Sequence, residues 1–128
     1  MSQDLETGKK EQSIIYSKSH SFAIKAIKEY RTLVEHRKEF VLSKQLLKSA
    51  TSIGANVNEA ISSESKKDFV HKLSISLKEA RETQYWLSLL HESDYLNSDS
   101  FKILNSECSE LIKILSSIIL TTKQRYLS

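Results

Sequence analysis

Few residue groupings in this 128-residue chain have the types and spacing that chemistry requires. Carboxylate-bridged metal centres in helical bundles need Glu-x-x-His on two helices and inward carboxylates on two more. The chain offers one Asp68-x-x-His71 with no second copy, and His71 points away from the Phe69–Leu73 stripe. A metal-free ribonuclease needs a base and a cation that stabilises phosphate charge. Arg31 and His36 have the spacing found in some helical ribonucleases, but so short a pattern arises readily by chance among nineteen Lys and Arg and four His. Exposed helix positions explain the pair better. The single Cys108 excludes an internal disulfide or a Cys-based zinc site, and it falls in line with Leu104, Leu111 and Leu115 as a small core residue. With no Gly-rich phosphate loop and no Ser-His-Asp grouping, the residues predict neither an enzyme nor a metal or cofactor.

Cations are the remaining chemical resource, and the formal charge of +3 permits an anionic partner without demanding one. Lys18, Lys25, Lys28 and Arg31 lie on the solvent side of the first helix, and Lys44 and Lys48 on that of the second. Lys66 and Lys67 fall in the first turn of the third helix, where the macrodipole disfavours cations by a few tenths of a kcal/mol. Residues held against a local preference point to a task. Lys25, Lys28, Lys44, Lys48, Lys66 and Lys67 are therefore the candidate nucleic-acid contacts. Glu29, Glu35 and Glu39 interleave with the cations, so ordinary solvated surface stays open as the other reading. No aromatic platform is visible, which argues against sequence-specific reading of single strands.

These side chains must be positioned by helices. Two glycines and no proline leave almost none of the turn residues that a β-rich domain of this size needs. A hydrophobic fraction of 39% and a charged fraction of 27% belong to an ordinary globular domain. Residues 1–12 read as a flexible polar leader, and residues 13–128 as one four-helix bundle domain. The first helix is predicted over Ser19 to Phe40, with Phe22, Ala26, Tyr30, Leu33 and Val34 on one face. The second runs from about Leu42 to Ile61, striped by Leu46, Ala50, Ile53, Val57 and Ala60. Ser62 to Ser65 break the pattern, and Ser65 with Asp68 resembles a capping box ahead of Phe69, Leu73, Leu77, Ala80 and Leu87. After a break at Asn97 to Ser100, the fourth helix carries Phe101, Leu104, Cys108, Leu111, Leu115 and Ile118. Four such helices with short connections predict an all-α, antiparallel up-down-up-down four-helix bundle. The most apolar run, Leu111 to Leu120, is too short and too interrupted to span a bilayer, and no signal peptide is visible, so the expected address is cytoplasmic.

The apolar surface exceeds what one bundle needs. On the third helix Ile75, Trp86, Leu89 and Leu90 lie off the arc centred on Leu73 and Leu77, with Glu79 and Glu82 among them. On the second, Gln45, Ser49, Ser52 and Asn56, with Glu59 at the edge, flank the core stripe. Asn56, Glu59, Ile75, Glu79, Glu82 and Trp86 together predict a homo-oligomer interface. Wide stripes wrapping one tight bundle, with Trp86 covering a helix end, are the alternative. Arg37 is expected inside the apolar arc, where it must snorkel or meet a carboxylate, with Glu59, Glu79 and Glu82 as candidates.

From Ser52 to Leu96 the chain resembles the bacterial four-helix-bundle proteins of 23S rRNA intervening sequences. The likeness is carried by Ser52, Ile53, Asn56, Val57, Glu59 and Ala60, then by Ser65-Lys66-Lys67-Asp68-Phe69. It continues through Leu73-Ser74-Ile75, Lys78-Glu79-Ala80-Arg81-Glu82-Thr83, Trp86-Leu87 and Tyr95-Leu96. Gly54, where many members carry proline, and Ala60-Ile61, where many read Ala-Glu-Gly, are departures. The resemblance implies a ring-like homopentamer. A related accessory protein of diversity-generating retroelements, a basic pentamer, works with a reverse transcriptase and RNA. Three expectations follow: a non-catalytic oligomeric scaffold that binds RNA or DNA, an oligomeric adaptor for a protein partner, and, behind both, a ribonuclease.

Overall fold

The structure, a computed structural model, describes residues 2–128, with side chains from Gly8 onward. Four helices follow one another: α1 (Ser2–Glu35), α2 (Leu42–Ile61), α3 (Lys66–Glu92) and α4 (Ser98–Thr122). A single π-turn, Lys123–Leu127, continues α4. No strand occurs among the described residues. Cross-helix pairs run in opposite senses. Ser76 Oγ donates to Ile53 O at 2.8 Å and Thr83 Oγ1 to Ser49 Oγ at 2.9 Å, which makes α2 and α3 antiparallel. Cys108 Sγ reaches Ala80 O at 3.2 Å, while His91 stacks on Phe101 with ring centroids 4.2 Å apart, which does the same for α3 and α4.

The core follows the apolar stripes. Phe22, Ala26 and Leu33 of α1 meet Leu46, Ala50, Ile53 and Val57 of α2, Leu73, Ala80, Leu87 and Leu90 of α3, and Leu104, Cys108, Leu111 and Leu115 of α4. Each large aliphatic side chain buried this way contributes about 1.5–3 kcal/mol. Small residues let α2 and α3 approach closely, and the polar ones are satisfied: Ser49, Ser76 and Thr83 are fully buried and hydrogen-bonded. Ser49 thus belongs to the inner seam rather than to a flanking polar row. Leu90, expected off the core arc, is also fully buried, because the stripe of α3 runs through Leu73, Ser76, Ala80, Thr83, Leu87 and Leu90 and leaves Leu77 half-buried.

Helix α1 differs from expectation at both ends. It includes residues 2–18, so the backbone of residues 2–12, expected as a flexible leader, is helical; Met1 and the side chains of residues 2–7 lie outside the described residues. Ile15 and Ser19 are buried and give this early segment an inner face. At the other end α1 stops at Glu35 instead of Phe40. Lys38 adopts a left-handed φ of 55°, and Glu39 N–H turns back to Leu33 O at 3.0 Å. The chain leaves α3 by the same device, with Asp94 at φ 66° and Leu96 N–H on Leu90 O at 3.0 Å. Arg37 joins the two turns. Its guanidinium donates to Asp94 O at 2.7 Å and Tyr95 O at 2.9 Å and lies 5.4 Å from the Tyr95 ring centroid. Its partners are therefore orphan carbonyls after a helix C-terminus, not a carboxylate, because α1 ends before Arg37 can enter the apolar arc.

Glu39, which interleaves with the cations in sequence, is not a solvated charge: it is buried and caps the start of α2. Its carboxylate accepts the N–H groups of Val41 and Leu42 at 2.9 Å and of Ser43 at 2.7 Å, while Ser43 Oγ donates to Glu39 O at 2.7 Å. Burial raises its pKa, but the hydrogen bonds outweigh that penalty and hold it below the ordinary glutamate value. Helices α3 and α4 start with side-chain caps, Ser65 Oγ on Asp68 N–H at 3.0 Å and Asn97 Oδ1 on Ser100 N–H at 2.8 Å.

Candidate oligomer and nucleic-acid interfaces

Ile75, Glu79, Glu82 and Trp86 recur at intervals of four, three and four residues, so they share one line along α3. Ser52, Asn56 and Glu59 form the neighbouring line on α2, and a Lys72–Glu59 ion pair of 3.3 Å ties the two helices at one end. Trp86 is half-buried against the core, and its indole N–H donates to Glu82 at 3.2 Å. The ring of Tyr85 meets Trp86 edge-on at 5.1 Å and is itself exposed. Asn56 Nδ2 donates to Ser52 O at 2.8 Å, within its own helix. Ile75 and Glu79 are half-buried, while Glu59 and Glu82 are exposed. Burial, and secondarily Glu82, raises the pKa of Glu79, against the opposing pull of Lys78 and Lys48. A carboxylate placed this way gains from a further cation.

The candidate cations divide by environment. Lys25 is paired with Glu107, and its neighbour Lys18 with Glu110 at 2.9 Å, so much of the first helix's positive charge is locally compensated by α4. Lys28 lies in an α1–α4 groove with Glu29. Lys44, Lys48 and Lys67 are exposed and have no ion pair with a described residue. Lys66, also exposed, sits over the Tyr126 ring at 4.6 Å from its centroid. The up-down path brings the start of α3 to the same end as the close of α4 and the early part of α1. Lys9 and Arg125 consequently line a cleft with Lys66, a grouping that helix-by-helix reading missed. The only sequence signal was topological, since alternating helices must place these segments together.

Asp68 and His71 are exposed, and among the described residues no three His, Cys, Asp or Glu side chains gather as a metal site. Arg31 is exposed on α1, while His36 lies past its end. Burial pushes the Cys108 thiol up to about 12. No helix among the described residues is long and apolar enough to cross a membrane.

The fold and its surfaces thus define a four-helix protein whose buried polar groups tie helix to helix. The chain belongs to the 23S rRNA-intervening sequence protein family, which it matches over residues 11–117. It is also similar to a crystal structure, at 1.70 Å resolution, of a protein of unknown function from the S23 ribosomal protein family of Bacteroides thetaiotaomicron VPI-5482. The two share 44% identity with a TM-score of 0.85, over 86% of this chain and 98% of the other. No curated protein matches the chain.

Proposed function

We propose that the protein is a non-catalytic, cytoplasmic, homo-oligomeric scaffold, a pentamer as the family resemblance implies, that binds RNA or DNA through helix-borne lysines. The observation that carries nucleic-acid binding is the sorting of cations just described. Lys18 and Lys25 are neutralised within the bundle, whereas Lys44, Lys66 and Lys67 stand in solvent without an ion pair to a described residue, and exposed Lys48 has only a longer-range interaction with Glu79. Assembly repeats that set once per subunit and multiplies its attraction for a polyanion. The assembly surface is the α2–α3 strip of Asn56, Glu59, Ile75, Glu79, Glu82 and Trp86, where a neighbour's cation would relieve Glu79.

Binding to a structured RNA and to a matched DNA duplex, titrated from low to near-physiological salt, tests this reading. Affinity should fall steeply as salt rises, and Lys66→Glu/Lys67→Glu should weaken it severalfold at every salt concentration. Absence of binding at low salt would overturn the nucleic-acid role. The exposed Tyr85 ring beside Trp86 favours a second reading, an adaptor that seats a protein partner there. Tyr85→Ala should leave RNA affinity unchanged under the first reading and abolish partner capture under the second.

A further inference from the structure

The seams between helices differ in how they hold charge. Along α1–α4, Lys18 and Lys25 are paired with Glu110 and Glu107, and along α2–α3, Lys72 is paired with Glu59. By contrast, none of the described residues lining the groove between α1 and α2 is a carboxylate. Short side chains at Ala23, Gly54 and Ala55 open this groove into a trough of about 250 Å³. Tyr16 and His20 form one wall, their rings stacked with centroids 5.9 Å apart and planes 22° from parallel. Both rings are exposed, and the Tyr16 hydroxyl and the Asn58 amide in the trough have no partner among the described residues. A helix beginning only at Ser19 would leave Tyr16 outside the bundle; the earlier start of α1 brings it one turn before His20.

Cations continue the groove beyond the trough. Lys44 lies two turns before Thr51 on the same line of α2, and the antiparallel path of α1 carries Arg31 toward that end. Both are exposed without an ion pair to a described residue, and Lys48, also exposed, has only a longer-range interaction with Glu79. Neighbouring carboxylates are turned elsewhere: Glu29 lines the α1–α4 groove, Glu39 caps α2 and Glu59 pairs with Lys72, while Glu35 lies a turn past Arg31 at the close of α1.

We infer that the α1–α2 groove holds an unpaired strand of nucleic acid, with one base in the trough against Tyr16 and His20 and its phosphates running along Lys44, Lys48 and Arg31. This rests on the nucleic-acid reading above and names the face and the state of the strand. The aromatic pair selects an unpaired base, because a duplex hides the faces of its bases and a single strand can lay one on a ring. The trough is smaller than a whole-ligand pocket and suits one planar base. From Thr51 to Lys44 the helix rises roughly 10 Å, which about three stacked nucleotides cover. Stacking accepts any base, so the groove prefers the unpaired state rather than a sequence.

Fluorescence anisotropy of the full chain with a short unstructured RNA strand, and with that strand annealed to its complement, tests the groove. The strand should bind about tenfold more tightly than the duplex at low salt. Tyr16→Ala should weaken strand binding about tenfold and leave duplex binding unchanged, whereas Tyr16→Phe should keep the wild-type affinity. Lys44→Glu should weaken strand binding severalfold with helicity retained. Thiouridine in the strand should cross-link to the peptide that carries Tyr16 and His20. A strand held no more tightly than the duplex, or unaffected by Tyr16→Ala, would overturn the groove. Salt-sensitive duplex binding would then keep the scaffold's nucleic-acid role without it, and binding of neither probe at low salt would remove both.

Discussion

Glu39 shows how one side chain can set the start of a helix. Its carboxylate takes three N–H groups that would otherwise be orphaned at the first turn of α2, where Val41 supplies no side-chain cap. Glu39→Ala is expected to cost about 2 kcal/mol, read from chemical denaturation. Because the folded-state pKa is depressed, this stabilisation is present above the unfolded-state value and lost as pH falls through the folded one. The stability gap between wild type and Glu39→Ala should therefore be full at neutral pH and close in acid; a constant gap would refute the capping role. Cys108 illustrates the opposite environment. Its buried thiol, raised to about 12, should resist alkylation in the native protein at neutral pH and react at once after unfolding. The core placement of Cys108 was legible from its line with Leu104 and Leu111. The role of Glu39 was not, because a glutamate among cations has the same pattern whether it faces water or a helix start.

At the scale of elements, α2, α3 and α4 were legible from apolar period and capping residues, and Ser65 caps α3 as read. Ser65→Ala should lower stability by about 1 kcal/mol with little change in total helicity, measured by thermal melting with circular dichroism. The end of α1 escaped because the turn there uses Lys38, not glycine, at positive φ, so no breaker residue marks it. The same missing breaker hides the place of Arg37: periodicity alone carries α1 past Glu35 and points the guanidinium at the core, whereas it caps the turn after α3. Gly54 offers a cleaner test of helix interior against packing. The nearest atoms a β-carbon there would meet belong to Ser19, at 3.5 Å, an ordinary contact, and its φ is not positive. Gly54→Ala should raise stability by about 0.5–1 kcal/mol; a loss in the same melting experiment would mean that α1 cannot tolerate the added methyl.

For the whole molecule, the antiparallel path creates features no single helix contains. It brings Lys9, Lys66 and Arg125 into one cleft and aligns Asn56 and Glu59 beside Ile75, Glu79 and Trp86. The residues of the α2–α3 strip were legible as excess apolar and polar surface beside the core stripes, although Leu90 and Ser49 turned out to serve the core itself. The cleft was not legible, because its cations sit on segments joined only by topology. A scaffold that works by multivalency must assemble, and light scattering of the full chain measures that directly. A mass several times that of one chain, lowered by Trp86→Ala while helicity persists, is the predicted result; a wild-type mass equal to a single chain would contradict the scaffold.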